Sequence, residues 1–303
     1  MTARYLVARA ADADPVEPEA LAGHATGYRR WSVIDEAAGA THTGFGICSL
    51  DPGAFLDAHV HSFEESVYVL EGELVVDTGE GSLLLRAGDY GLLPVGVPHA
   101  ARNPGPVAAR WADMLAPQPR ARWGDDTFFV PPMTPHPPVP VDVRDPRTRS
   151  FGHIDPANMD PARQTQDQLA VSASMRTALL VYSGITVKMM VDSDLGARLT
   201  TMFMVQYEPD GTAGPHDHPF EETYLFIEGT AEALFDGERY MLRPGDIAWA
   251  GAGCVYGFAN AGGGPLRWLE TQSPQPPGRH AYRFVRDWEY LRGKLESSQG
   301  GEQ

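Results

Sequence analysis

Short β-prone apolar runs, separated by turn residues, occupy most of the chain. The first are Arg30-Trp31-Ser32-Val33-Ile34 and residues 43–50. Residues 66–70 and 73–77 then flank Glu71-Gly72, a turn signal between two strand-like runs. Residues 82–85 and 90–93 flank Ala87-Gly88-Asp89. A second set of runs covers residues 179–182, 187–191 and 199–207. Residues 1–25 read as an extended or loosely helical lead-in. Residues 117–165 are rich in proline, which central strands and helix interiors exclude, so they form a connector on a surface or between domains. A short helix is expected within residues 155–169, capped by Asp160 with Pro161 at its first position. Near the end, Val285, Trp288, Leu291 and Leu295 recur at three- and four-residue spacing, which predicts an amphipathic C-terminal helix despite Gly293. Residues 297–303 are expected to fray.

Composition supports an all-β chain of two domains: 303 residues, 43% apolar, with 32 Gly and 26 Pro to make turns. The boundaries expected are 1–120 for an N-terminal barrel, 121–175 for the connector, and 176–303 for a C-terminal barrel plus the helix. A formal net charge of −16 argues against nucleic acid and anionic membrane as partners. The two cysteines, Cys48 and Cys254, make no disulfide framework or paired zinc motif and suit a reduced cytoplasmic compartment. The N-terminus turns acidic too early for a signal peptide, and no apolar run is long enough to span a bilayer.

Two stretches carry the candidate chemistry. The first places Gly53, His59-Val60-His61, Glu65 and Gly72 in order; the second places Gly211, His216-Asp217-His218, Glu222 and Gly229. Imidazoles one residue apart on a strand point to one face, and a carboxylate four residues on can return to it after a bend. Neutral imidazoles with a carboxylate suit a divalent transition metal. A single shift of 157 positions carries His59 onto His216, Glu65 onto Glu222 and Gly72 onto Gly229. The same shift carries Gly88-Asp89 onto Gly245-Asp246, Asn103 onto Asn260 and Arg110-Trp111 onto Arg267-Trp268. So many matches at one shift indicate a duplicated unit.

Both units resemble the cupin superfamily, whose paired motifs are G-x5-HxH-x3,4-E-x6-G and G-x5-PxG-x2-H-x3-N. Unit one matches throughout, its second motif running Gly88, Pro94-Val95-Gly96, His99, Asn103. The resemblance implies two tandem jelly-roll barrels, a bicupin, with a metal held in the first by His59, His61, Glu65 and His99. Unit two is one residue shorter before His216, and Tyr256 stands where the motif has its histidine. It retains His216, His218 and Glu222, the composition of an open facial triad. Tyr256 is left as a fourth ligand, a proton donor or a space filler. One or two ions per chain are expected, and Fe, Mn, Ni, Cu, Zn and Co are not distinguished.

The three-histidine, one-glutamate set resembles that of quercetinase and diketone-cleaving cupins. It implies a dioxygenase acting on a small enolic or phenolic molecule, with Glu65 doubling as ligand and base and Glu222 and Tyr256 as further catalytic candidates. The tandem layout also resembles ureidoglycine aminohydrolases, which implies a non-oxidative aminohydrolase, isomerase or decarboxylase. A ligand-binding bicupin without catalysis is the third reading. Arg110 and Arg267 are candidate carboxylate forks, with a structural salt bridge as the favoured alternative. Tyr68, Met204 and Phe258 are candidate lining residues, with Phe55 and Met202 beside them. Alternation turns Glu64 and Glu221 away from the ligand face. Cys254 reads as a buried small apolar residue. The resemblance also implies a homodimer formed through exposed strands.

Overall fold

A computed structural model describes residues 4–142, 144–163, 182–275 and 283–284. The regular structure among them is strand and short 3-10 turn, in two curled sheets of eleven and ten strands. In the first, strand Gly44–His61 is flanked by Ala25–Ile34, His99–Arg102 and Ala109–Ala116. Ala109–Ala116 pairs onward with Glu64–Glu71, which pairs with Asp89–Leu93. In the second, Thr201–Asp217 is flanked in the same way by Tyr182–Val191, Tyr256–Asn260 and Leu266–Ser273. The duplication survives at the level of register: Cys48 opposes Trp111 in one sheet, and Val205 opposes Trp268 in the other.

Two sequence expectations change. Glu71-Gly72 does not close a hairpin. Strand Glu73–Thr78 leaves its predecessor and pairs with Gly81–Arg86 and His99–Arg102. Gly72 sits at φ +75°, and a Cβ there would lie 2.5 Å from the Ala108 carbonyl oxygen, so the chain crosses between faces at a point only glycine allows. The lead-in is not loose either. Tyr5–Ala8 is a strand, and it joins the second sheet along Ile247–Ala250. Its counterpart Phe151–His153, inside the connector, joins the first sheet along Asp89–Leu93. The connector otherwise wraps the first barrel: Val139–Pro140 lies at a sheet edge, where a missing N–H costs little. Asp160 caps the turn Pro161–Arg163, accepting from the Ala162 amide at 2.9 Å. The strand expected at 179–182 is seen from Tyr182 onward. The remainder of the 155–169 helix, the C-terminal helix and residues 297–303 fall outside the described residues.

Apolar side chains gather into three cores. One fills the first barrel, around Leu50, Val69, Leu74 and Trp111. A second fills the second barrel and is rich in aromatic rings, with Tyr224, Phe226, Phe235, Phe258 and Trp268. The third lies between the barrels, where Ile34, Phe45 and Met114 meet Met202, Leu225 and Trp249. At about 1.5–3 kcal/mol for each large apolar side chain fully buried, this third core binds the two units tightly.

Two carboxylates complete that interface. Glu64 points away from its own barrel and accepts the backbone amides of Arg198, Leu199 and Thr200 at 2.8, 2.9 and 3.2 Å. Glu221 does the same to Thr41, His42 and Thr43 at 2.8, 3.1 and 3.0 Å. The outward turn read from alternation therefore ends in a reciprocal clasp, each unit's acid tying down a loop of the other.

Candidate metal centre

The first barrel draws its four candidate ligands from three strands. His59 and His61 end the strand Gly44–His61, Glu65 lies at the start of Glu64–Glu71, and His99 opens His99–Arg102, directly opposite His59. The donor atoms of His61, Glu65 and His99 all lie within 4.8 Å of one another. His61 Nε2 is 3.2 Å and His99 Nε2 3.7 Å from Glu65 Oε2. The His59 ring lies beside this trio, its centroid 4.2 Å from that of His99 and 6.1 Å from that of His61.

Backbone carbonyls set the tautomers. Nδ1 of His59, His61 and His99 contacts the carbonyl oxygens of Asp57, Phe63 and Val97 at 2.8, 2.6 and 3.0 Å. A carbonyl only accepts, so each Nδ1 carries the proton and each Nε2 presents its lone pair. Two of those lone pairs face the Glu65 oxygen. Nε2 atoms converging with a carboxylate oxygen in this way could hold a cation between them. Ligands about 2.1 Å from a shared ion stand roughly 3–3.5 Å apart, close to the spacing found. Burial, and then the proximity of His99, lowers the His59 pKa to about 3, so this ring is neutral at neutral pH. The donor set therefore suits a divalent metal.

These residues open onto a cavity of about 510 Å³ inside the first barrel. Leu56, Val67, Leu74, Val76, Leu93 and Trp111 wall it. A polar group missed in the sequence lies within it. Arg30 grips Asp113 with both Nε and Nη2 at 2.8 Å, while Cys48 donates to Asp113 at 3.2 Å and Tyr28 contacts Cys48 at 3.1 Å.

The second barrel keeps the motif spacing but arranges it differently. His216, with Nδ1 2.7 Å from the Gly214 carbonyl oxygen, and His218 meet edge to face, their centroids 5.0 Å apart. Glu222, 1% exposed, is enclosed by donors: Tyr224 at 2.7 Å, Gln272 at 2.6 Å, and the Tyr256 hydroxyl. His218 Nε2 stands 3.7 Å from it. Among the described residues, His61, Glu65 and His99 form the only group of three His, Cys, Asp or Glu donors gathered within 4.8 Å. Burial lowers the His216 pKa to about 3, with His218 adding to the effect. Burial and the neighbouring Glu222 push the Glu270 carboxyl well above the usual range, so Glu270 holds a proton.

The remaining candidates lie away from the cavity. Arg110 pairs on the surface with Glu71 at 3.0 Å. Arg267 contacts Gln206 at 2.7 Å and Glu228 at 3.1 Å. Both therefore take the structural salt-bridge alternative. Met204 and Met202 belong to the core between the barrels, with Tyr68 packed on it, and Phe258 belongs to the second barrel's core. Phe55 is exposed. Cys254 is buried; burial and then Asp236 push its thiol up to about 12, which leaves it inert. No helix among the described residues is long and apolar enough to cross a membrane.

Two duplicated β-barrels, joined face to face and each built around an HxH-x3-E turn, define a tandem-barrel protein of the bicupin class. The family profile for the cupin domain matches residues 46–115 and 203–271. "Polyketide synthase CurC" of Streptomyces cyaneus is 34% identical over 110 residues, covering 36% of this chain and 70% of that protein. "Protein SchB" of Streptomyces halstedii is 36% identical over 105 residues, covering 34% and 74%. The chain belongs to the cupin family. Among solved structures, an oxalate decarboxylase–formate complex from Lactobacillus farciminis superposes with a TM-score of 0.62 at 16% identity, covering 93% of this chain and 89% of that one. Salicylate 1,2-dioxygenase from Pseudoaminobacter salicylatoxidans with gentisate gives 0.60 at 16%, covering 77% and 68%. These two likenesses concern the fold.

Proposed function

We propose that the chain is a metal-dependent enzyme whose first barrel activates an enolic or phenolic substrate toward O₂. The supporting observation is the set of imidazoles locked by backbone carbonyls with Nε2 turned inward, beside Glu65 on the wall of a largely apolar cavity. His59, His61, Glu65 and His99 would hold one ion, which supplies Lewis acidity toward an enol or phenol oxygen and a route for electrons to O₂. The chain's own part is threefold. The carbonyl-bound imidazoles keep the donor set preorganised and neutral. Glu65, beside the metal position, would accept the substrate's hydroxyl proton. The apolar walls exclude bulk water from the reacting oxygen. A relative named for a polyketide synthase supports this substrate chemistry, since polyketides carry enol or phenol oxygens.

The test combines metal analysis with oxygen uptake. Purified protein should carry one ion per chain. His61→Ala should lose it and His218→Ala should keep it. The loaded protein should consume O₂ with some members of a phenol and enol panel. Equal metal content in wild type and His61→Ala would refute the ligand assignment. A loaded protein that turns over such a panel without O₂ uptake would be a non-oxidative bicupin instead.

A further inference from the structure

The first barrel's cavity is rich in acids, and its one cation is already engaged. Asp35, Glu36, Asp113 and Asp125 line it besides Glu65, and among the described residues Arg30 is the only Lys or Arg that does so. Arg30 would be the natural fork for a substrate carboxylate. Each of its nitrogens, however, already has a partner: Nε and Nη2 on Asp113 at 2.8 Å, and Nη1 on Ser32 Oγ at 2.8 Å. The guanidinium also rests on Gly46, where a Cβ would stand 2.7 Å from Cζ, so the seat is shaped for this ion pair. Its side chain is 13% exposed.

The duplicated unit shows what the pair is for. The 157-residue shift carries Asp113 onto Glu270 and Arg30 onto Val187. Without that cation, Glu270 accepts the Trp268 indole N–H at 2.9 Å in its place. Arg30 thus neutralises Asp113 and is not held in reserve for an incoming anion. Asp125 responds in the same direction: burial raises its pKa against the pull of Arg30, as expected where further negative charge is poorly tolerated.

We propose that the first barrel selects a substrate that is uncharged apart from the single enol or phenol oxygen presented to the metal, and that it rejects carboxylates. The inference rests on the reading of this barrel as the active site. A divalent ion with Glu65 leaves one net positive charge, which one ionised oxygen balances. A second anion would have to sit beside Asp35, Glu36 and Asp125 while the guanidinium that could pair with it is already gripped by Asp113, and buried unpaired charge is strongly disfavoured.

The test uses metal-loaded protein without O₂ and three probes: a naphthol, the same naphthol with a carboxylate on its distal ring, and the methyl ester of that acid as a size control. Binding is read by quenching of protein fluorescence and by calorimetry. The naphthol and the ester should bind at least about tenfold more tightly than the carboxylate. Asp113→Asn frees Arg30 and should recover most of the carboxylate's deficit. If that variant fails to fold, Glu36→Gln with Asp125→Asn at the rim should move the ratio the same way. Equal or tighter binding of the carboxylate to wild type, or no binding of the naphthol, overturns the proposal. Because binding is measured without turnover, selectivity without O₂ uptake would refute only the reaction, and O₂ uptake with carboxylates as good substrates would refute only this inference.

Discussion

The reciprocal carboxylate clasp gives a quantitative test of how the two barrels hold together. Glu221 accepts three amides of residues 41–43, and Glu64 three amides of residues 198–200, all within 3.2 Å and largely out of water. Replacing Glu221 with alanine leaves three N–H groups without an acceptor, that of Thr43 buried and those of Thr41 and His42 part-buried. Each orphaned donor costs about 1–3 kcal/mol. Partial entry of water reduces the sum, so the net loss should be about 3–5 kcal/mol. Glu221→Gln keeps one acceptor oxygen and should lose about half as much. For a chain of this size each kcal/mol lowers Tm by about 2 °C, so alanine should cost roughly 6–10 °C. Calorimetry provides that number, and amide exchange at residues 41–43 should quicken in the same variant. In the double variant with Glu64→Ala the losses should be less than additive, since both clasps secure one interface. A loss below about 1 kcal/mol for Glu221→Ala, with unchanged exchange, would show that apolar packing alone holds the barrels together.

Two further outcomes concern pH. His59 and His216 have pKa values lowered from 6.5 to about 3 in the fold. The unfolded chain therefore takes up protons first on acidification, and their stabilising contribution is present above pH 6.5 and lost as pH falls toward 3. Metal-free protein should show a urea midpoint that drops across this window, and a flat profile would contradict the burial argument. Glu270 shifts the opposite way: its folded pKa is raised, so its contribution is complete below about 4.5 and lost as pH rises. Glu270→Gln should melt higher than wild type at pH 8 and no higher at pH 4, and an equal loss at both would refute a protonated Glu270.

The local grammar of the chain was readable, and its long-range pairings were not. Alternation placed His59 and His61 on one face, and the constant 157-residue shift located the second barrel, because both depend on neighbours in sequence. The strand Tyr5–Ala8 escaped notice because a run of four β-prone residues carries no mark of a partner more than 230 positions away. Glu71-Gly72 looked like a hairpin because positive φ serves a crossing between faces as well as a tight turn. Arg30 and Asp113 lie 83 residues apart and belong to no motif, so nothing local joined them. The arginines beside tryptophan, Arg110 and Arg267, drew attention because they repeat, yet each is tied to a neighbouring carboxylate or amide. Motif spacing gives the reach of a ligand set; it does not give what else competes for those atoms.

That distinction separates the two barrels. Three replacements at the same shift act together: His99 becomes Tyr256, Asp113 becomes Glu270 and Arg30 becomes Val187. In the first barrel Glu65 stands among imidazole Nε2 atoms in a group that could hold a cation. In the second, Tyr256 donates a hydroxyl proton to Glu222 in place of a ring lone pair. Loss of the arginine leaves Glu270 protonated, and its proton becomes another donor toward Glu222. With Tyr224 and Gln272 added, the buried Glu222 carboxyl oxygens are met by donors of the protein itself. Aromatic rings then occupy the space that remains open in the first barrel. Replacing any one of the three alone would leave a charge or a lone pair unmet, so the closed second barrel is best understood as one coupled change.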